Sequence, residues 1–147
     1  MILQIVLGAL IGTSLMTAFS YIVSRKRDKQ FREPQLINEL ISRAQIKITP
    51  LRTSPLGWIL HYLTGTIFTL GYYFFWKLTA ADPSLISGAV LGAVNGVLGI
   101  SVWVICFVTH SNPPDINLKD YYWHLMIAHI IFGFGVALGF LLPVWLK

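Results

Sequence analysis

The sequence predicts an all-α integral membrane protein: a bundle of four transmembrane helices with a short amphipathic helix on the cytoplasmic side. Two observations carry that expectation. Of 147 residues, 55% are hydrophobic and only 12% are charged, roughly half the charged fraction of an average soluble domain. The charges are also segregated, so that four segments hold almost none while most basic residues crowd into the connection between the first two. Within lipid, only elements that satisfy their own backbone can span, and at this length and apolarity that element is the helix.

The first segment, residues 2–23 (ILQIVLGALIGTSLMTAFSYIV), has no charge before it and the basic run SRKRDK after it. A cleaved leader has the opposite arrangement, so a retained helix is expected. Residues 57–76 (GWILHYLTGTIFTLGYYFFW) end at Lys77, residues 85–109 (LISGAVLGAVNGVLGISVWVICFVT) run up to His110, and residues 121–143 (YYWHLMIAHIIFGFGVALGFLLP) complete the set. Each reaches the roughly 20 residues that cross a hydrocarbon core about 30 Å thick.

Connection 24–56 carries Arg25, Lys26, Arg27, Lys29, Arg32, Arg43, Lys47 and Arg52, eight of the eleven basic residues. By the positive-inside rule it belongs in the cytoplasm, with the 110–120 loop, and both termini lie outside. The same rule explains the basic excess without nucleic acid as a partner, and the expected setting is a bacterial cytoplasmic membrane. In size and span number the chain resembles small bacterial four-helix membrane families, a likeness of architecture that assigns no activity.

Inside the connection, PQLINELISRAQI sets Leu36, Ile37, Leu40, Ile41 and Ala44 at helical spacing. Such a helix either lies among the headgroups or packs on the cytoplasmic end of the bundle. Pro50 and Pro55 then break the chain before the second span. Trp58, Tyr62, Trp103, Tyr121, Tyr122 and Trp123 fall near the inner interface, and Tyr72, Tyr73, Trp76 and Trp145 near the outer one, as aromatic belts do.

Small residues recur every fourth position at Gly88, Gly92 and Gly96, at Gly8 and Gly12, and at Gly135 and Gly139. Glycine lets helix backbones approach closely, so these faces predict a tight bundle. Because the chain is small for a self-contained transporter, they also suggest a homo-oligomer or a place in a larger membrane complex. Asn95 stands near mid-membrane and needs a hydrogen-bond partner, for which Thr13, Ser14, Thr17, Thr64, Thr66 and Thr69 are the candidates.

No Asp, Glu, Lys or Arg lies well inside a span, which disfavours a proton-coupled exporter. The single cysteine, Cys106, can form no intramolecular disulfide. A CxxC pair, a glycine-rich nucleotide loop and a nucleophile motif are all missing, so no enzymatic activity is assigned.

The functional signal is histidine. All four imidazoles, His61, His110, His124 and His129, fall on the cytoplasmic half. Imidazole binds transition metals and haem iron and titrates near neutral pH. His61, His110 or His124, together with Cys106, could form a small metal site, with Asp115 or Asp120 orienting a ligand. His61 and His129 could instead be the axial ligands of one haem b. Five residues apart, His124 and His129 are about 140° apart around their helix, so they do not serve one ion together. Asn95 and Thr64 could continue a polar pocket toward the histidines. Three roles follow: a small membrane subunit with an inward-facing, histidine-lined pocket in contact with lipids, a haem or metal redox protein, or a carrier of a solute or lipid.

Overall fold

The computed structural model describes residues 1–44 and 46–145. The Trp145 side chain, expected near the outer interface, lies outside the described residues. Five helices follow one another: α1 (Ile2–Arg27), α2 (Glu33–Arg43), α3 (Pro55–Thr79), α4 (Leu85–Thr109) and α5 (Leu118–Trp145). Among the described residues α1, α4 and α5 are the three long and apolar enough to cross a membrane.

Local chemistry sets the ends. Arg25, Lys26 and Arg27 extend α1 past its apolar run, since cations are favoured at a helix C-terminus. Asp28 then takes the left-handed conformation at φ 49°, and its N–H returns to the Ser24 carbonyl. The Ser24 hydroxyl donates to the Lys29 carbonyl, so the chain reverses and drops Phe31 into the core at 2% exposure. Ser54 caps α3 ahead of Pro55. Ser84 and Ser87 form a reciprocal capping box at the start of α4, which satisfies donors that a helix N-terminus leaves open.

α5 is the central helix, packed against α1 on one side and α4 on the other. Leu125, Ala128, Val136 and Ala137 on it are fully buried. The glycine faces build both contacts. A Cβ on Gly12 would lie 2.9 Å from the Phe132 carbonyl oxygen, and one on Gly135 would lie 2.6 Å from the Gly12 Cα. Across the other seam, a Cβ on Gly92 would lie 2.5 Å from the His129 carbonyl oxygen, and Gly88 faces Gly133. The glycine faces thus bring helices of this one chain into close contact, as a tight bundle requires. Gly71 differs, with nothing within 4 Å of its Cβ position.

α3 packs along α1 and against α2, but barely touches α4, its neighbour in sequence. α2 is folded onto the start of α3. The face it buries holds Glu33 and Asn38 beside Pro34 and Leu36, so it is not the purely apolar stripe that the sequence suggested.

Candidate functional site

Because α3 and α4 diverge, a cavity of about 460 Å³ opens between them. α4 presents Gly99, Val102, Trp103 and Cys106 to it, a stripe at helical spacing. α3 contributes His61, Thr64 and Phe68, α5 contributes Leu125, His129 and Phe132, and α1 contributes Thr13 and Met16. One end is closed by α2 through Glu33, Ile37, Leu40 and Ile41. Most of this lining is apolar, so the polar pocket expected from the sequence is an apolar chamber with a few polar groups.

His61 and His129 are the two histidines that share it, and their hydrogen bonds fix their tautomers. The Thr17 hydroxyl spends its proton on the Thr13 carbonyl at 2.6 Å, so in the 2.9 Å contact with His61 Nε2 the imidazole must donate. That leaves the lone pair of His61 on Nδ1. His129 Nδ1 donates to the Leu125 carbonyl at 2.9 Å, which leaves its lone pair on Nε2. The edge of the His129 ring lies over Gly99, where a Cβ would come within 2.8 Å of Nε2. A side chain at position 99 would push the ring aside.

His110 and His124 do not join them. His110 uses both ring nitrogens, donating from Nε2 to the Leu40 carbonyl at 2.9 Å and accepting the Asn112 N–H on Nδ1 at 3.0 Å. No lone pair is left on it for a metal. His124 points to α1, with Nε2 2.9 Å from the Ser20 hydroxyl and its ring stacked between Phe19 and Phe31 at centroid distances of 5.0 and 4.4 Å. Asp120 pairs with Lys29 rather than with a histidine. Of the four candidate metal ligands, His61 and Cys106 line the cavity while His110 and His124 lie elsewhere. Among the described residues no three histidine, cysteine or acidic side chains are placed to hold a metal ion together.

Asn95 and Thr64 do not form a continuous polar groove. The hydroxyls of Thr64, Thr66 and Thr69 each bond a carbonyl one turn back on their own helix, at 2.8 to 2.9 Å. Ser14 instead meets the Tyr62 hydroxyl at 2.9 Å. Asn95 has Tyr72 as its polar neighbour, although neither its Nδ2 nor the Tyr72 hydroxyl completes a hydrogen bond.

Sequence reasoning missed Glu33. This carboxylate is 2% exposed, lines the cavity and accepts the Ser20 hydroxyl at 2.7 Å. Desolvation by burial lifts it to about 7, the Ser20 hydrogen bond pulling the other way. An acidic residue in a first helical turn is ordinary. The signal that could have marked it is Phe31, a large apolar side chain amid charged residues, which implies that the chain turns inward there.

An all-α fold with three long apolar helices and a chamber among them defines a polytopic membrane protein. No family model, curated protein or solved structure matches the chain.

Proposed function

We propose that the protein binds a lipophilic small molecule drawn from the bilayer, in the cavity between α3 and α4. The observation that carries this reading is the divergence of those two helices around about 460 Å³ of mainly apolar space, the character of most small-molecule sites. α3 is the fourth crossing. Its 25 residues run beside α1, and Ile59, Leu63, Ile67 and Phe74 are more than half exposed on its outer side, a surface suited to lipid. The eight basic residues of the connection set α2 and the closed end of the cavity on the cytoplasmic side, with both termini outside.

The test uses the full chain in lipid nanodiscs with a membrane-soluble alkyl diazirine. Photolabelling should concentrate on Phe68, Val102 and Trp103 and fall when Val102 is replaced by Trp. Labelling spread evenly over the outer faces of α1, α4 and α5, with none on the cavity lining, would overturn the reading.

In a second reading His61 and His129 would hold one haem b, which would supply redox chemistry there, favoured by the free lone pairs of two histidines that line one chamber. It requires a Soret band in protein from its own membranes that His129→Leu abolishes.

A further inference from the structure

Among the described residues Glu33 is a buried carboxylate without a countercharge. Oε1 accepts from Ser20 at 2.7 Å, while Oε2 is buried with no partner. Among the described residues the ion pairs are Lys29 with Asp120 and Arg52 with Glu39, and neither involves Glu33. Arg32, the adjacent cation, turns its guanidinium over the Tyr21 ring at 5.3 Å. A carboxyl group held this way either carries a proton or meets a cation, because an isolated buried charge is too costly.

The Ser20 hydroxyl that serves Glu33 also meets His124 Nε2 at 2.9 Å. One hydroxyl has one proton, so the chain is polarised in one of two senses. With Glu33 ionised, His124 Nε2–H donates to Ser20 and Ser20 donates to Oε1. With Glu33 protonated, Glu33 donates to Ser20, Ser20 donates to a lone pair on Nε2, and the imidazole proton sits on Nδ1. Glu33 lines the larger cavity. His124 lines a second one of about 350 Å³, together with Lys26, Arg27 and Asp120. The three side chains therefore link two separate cavities.

We propose that Glu33 recognises the ammonium group of a lipophilic amine in the larger cavity, and that Ser20 and His124 carry the displaced proton to the second cavity. This rests on the reading of the larger cavity as a site for a bilayer-borne molecule, and it names that molecule's class. The polar lining agrees, since His61 Nδ1, His129 Nε2 and ionised Glu33 are all acceptors, and an ammonium supplies up to three donors.

The exchange balances. As the ammonium arrives, the Glu33 proton passes to Ser20 Oγ, the Ser20 proton passes to His124 Nε2, and His124 releases its Nδ1 proton to water. One proton leaves per ammonium bound, and the neutral acid becomes an ion pair. The titratable and charged groups around Glu33 are Tyr21 of α1, Tyr121 of α5 and its neighbour Arg32, with His124 of α5 reached through Ser20; Cys106, His61 and His129 share its cavity. With burial lifting Glu33 to about 7, the exchange falls in the neutral range.

The test is calorimetric titration of the full chain in nanodiscs with 1-adamantylamine, using 1-adamantanol as the uncharged match. The alcohol should bind equally at all pH values. The amine should bind about 30-fold more tightly near pH 8.5 than near pH 5.5, and near pH 6 it should release about one proton, read from buffers of different ionisation heat. Glu33→Gln should remove this pH dependence and leave the alcohol unchanged. Ser20→Ala should slow proton release in stopped flow with a pH dye. Amine binding that ignores pH, while the alcohol still binds, overturns the role of Glu33 and leaves the cavity reading standing. Unchanged proton-release kinetics in Ser20→Ala overturn the route. If neither compound binds, the cavity reading falls and this inference falls with it.

Discussion

Asn38 holds the start of α3 through Gly57. Its Oδ1 accepts the Gly57 N–H at 2.9 Å, while Nδ2 donates to the carbonyls of Arg52 and Ser54 at 3.1 and 2.8 Å. One amide thus satisfies an open donor of the helix N-terminus and ties down the segment that leads into it. Position 57 must be glycine, because a Cβ there would run into the Pro34 carbonyl. Since α2 closes one end of the cavity, this clamp positions the site.

Asn38→Ala should therefore cost about 3 kcal/mol, near 1 for each hydrogen bond lost. Two readouts check it: the thermal midpoint in nanodiscs, and the rate of tryptic cleavage at Arg43, Lys47 and Arg52. A variant that melts normally and resists trypsin as well as the parent would show that α2 docks by its apolar contacts alone.

Glycines of the bundle should divide sharply. A Cβ on Gly92 meets backbone, 2.5 Å from the His129 carbonyl oxygen and 2.9 Å from the Ile130 Cα, and backbone cannot step aside as a side chain can. Gly92→Ala should destabilise the α4–α5 seam by about 1–3 kcal/mol. Gly71→Ala meets open space and should stay within about 0.5 kcal/mol of the parent. Equal melting losses at the two positions would contradict the packing.

The helices were legible because their signals are local. Long apolar runs and the basic cluster ending α1 lie within a few residues of the boundaries they set. The site was less so. His124 and Ser20 stand 104 residues apart in sequence, and no spacing rule pairs them. The threonines of α3 looked like partners for Asn95, yet a hydroxyl inside a helix readily bonds the carbonyl a turn behind it, as Thr64, Thr66 and Thr69 do. The absence of a carboxylate from the spans says nothing of the segments between them. A connection that folds back into the bundle brings Glu33 with it.

Glu33 gives the fold a pH dependence of definite sign. Burial raises its carboxyl from 4.5 to about 7, so the folded chain keeps a proton that the unfolded chain has released over that interval. Its stabilising contribution is complete below about pH 4.5 and is lost as pH rises through about 7, a change on the order of 3 kcal/mol. Glu33→Gln, neutral and of the same shape, should melt like the parent near pH 4.5, rise progressively above it between pH 4.5 and about 7, and keep a constant margin at higher pH. A constant offset across that range would mean that Glu33 does not titrate in the folded chain.

Cys106 offers a direct readout of the cavity, being the single cysteine of the chain. It follows Val102 by one turn of α4, and both line the chamber. Val102→Trp should fill the space beside the thiol and slow its reaction with a membrane-permeant maleimide several-fold, since reaction requires access for reagent and for the water that supports thiolate. Val97 is equally exposed at 56% but lies outside the lining, so Val97→Trp should leave the rate unchanged. Slowing by both substitutions alike would mean that reagent reaches Cys106 from the outer face of α4, and the chamber would not be its route.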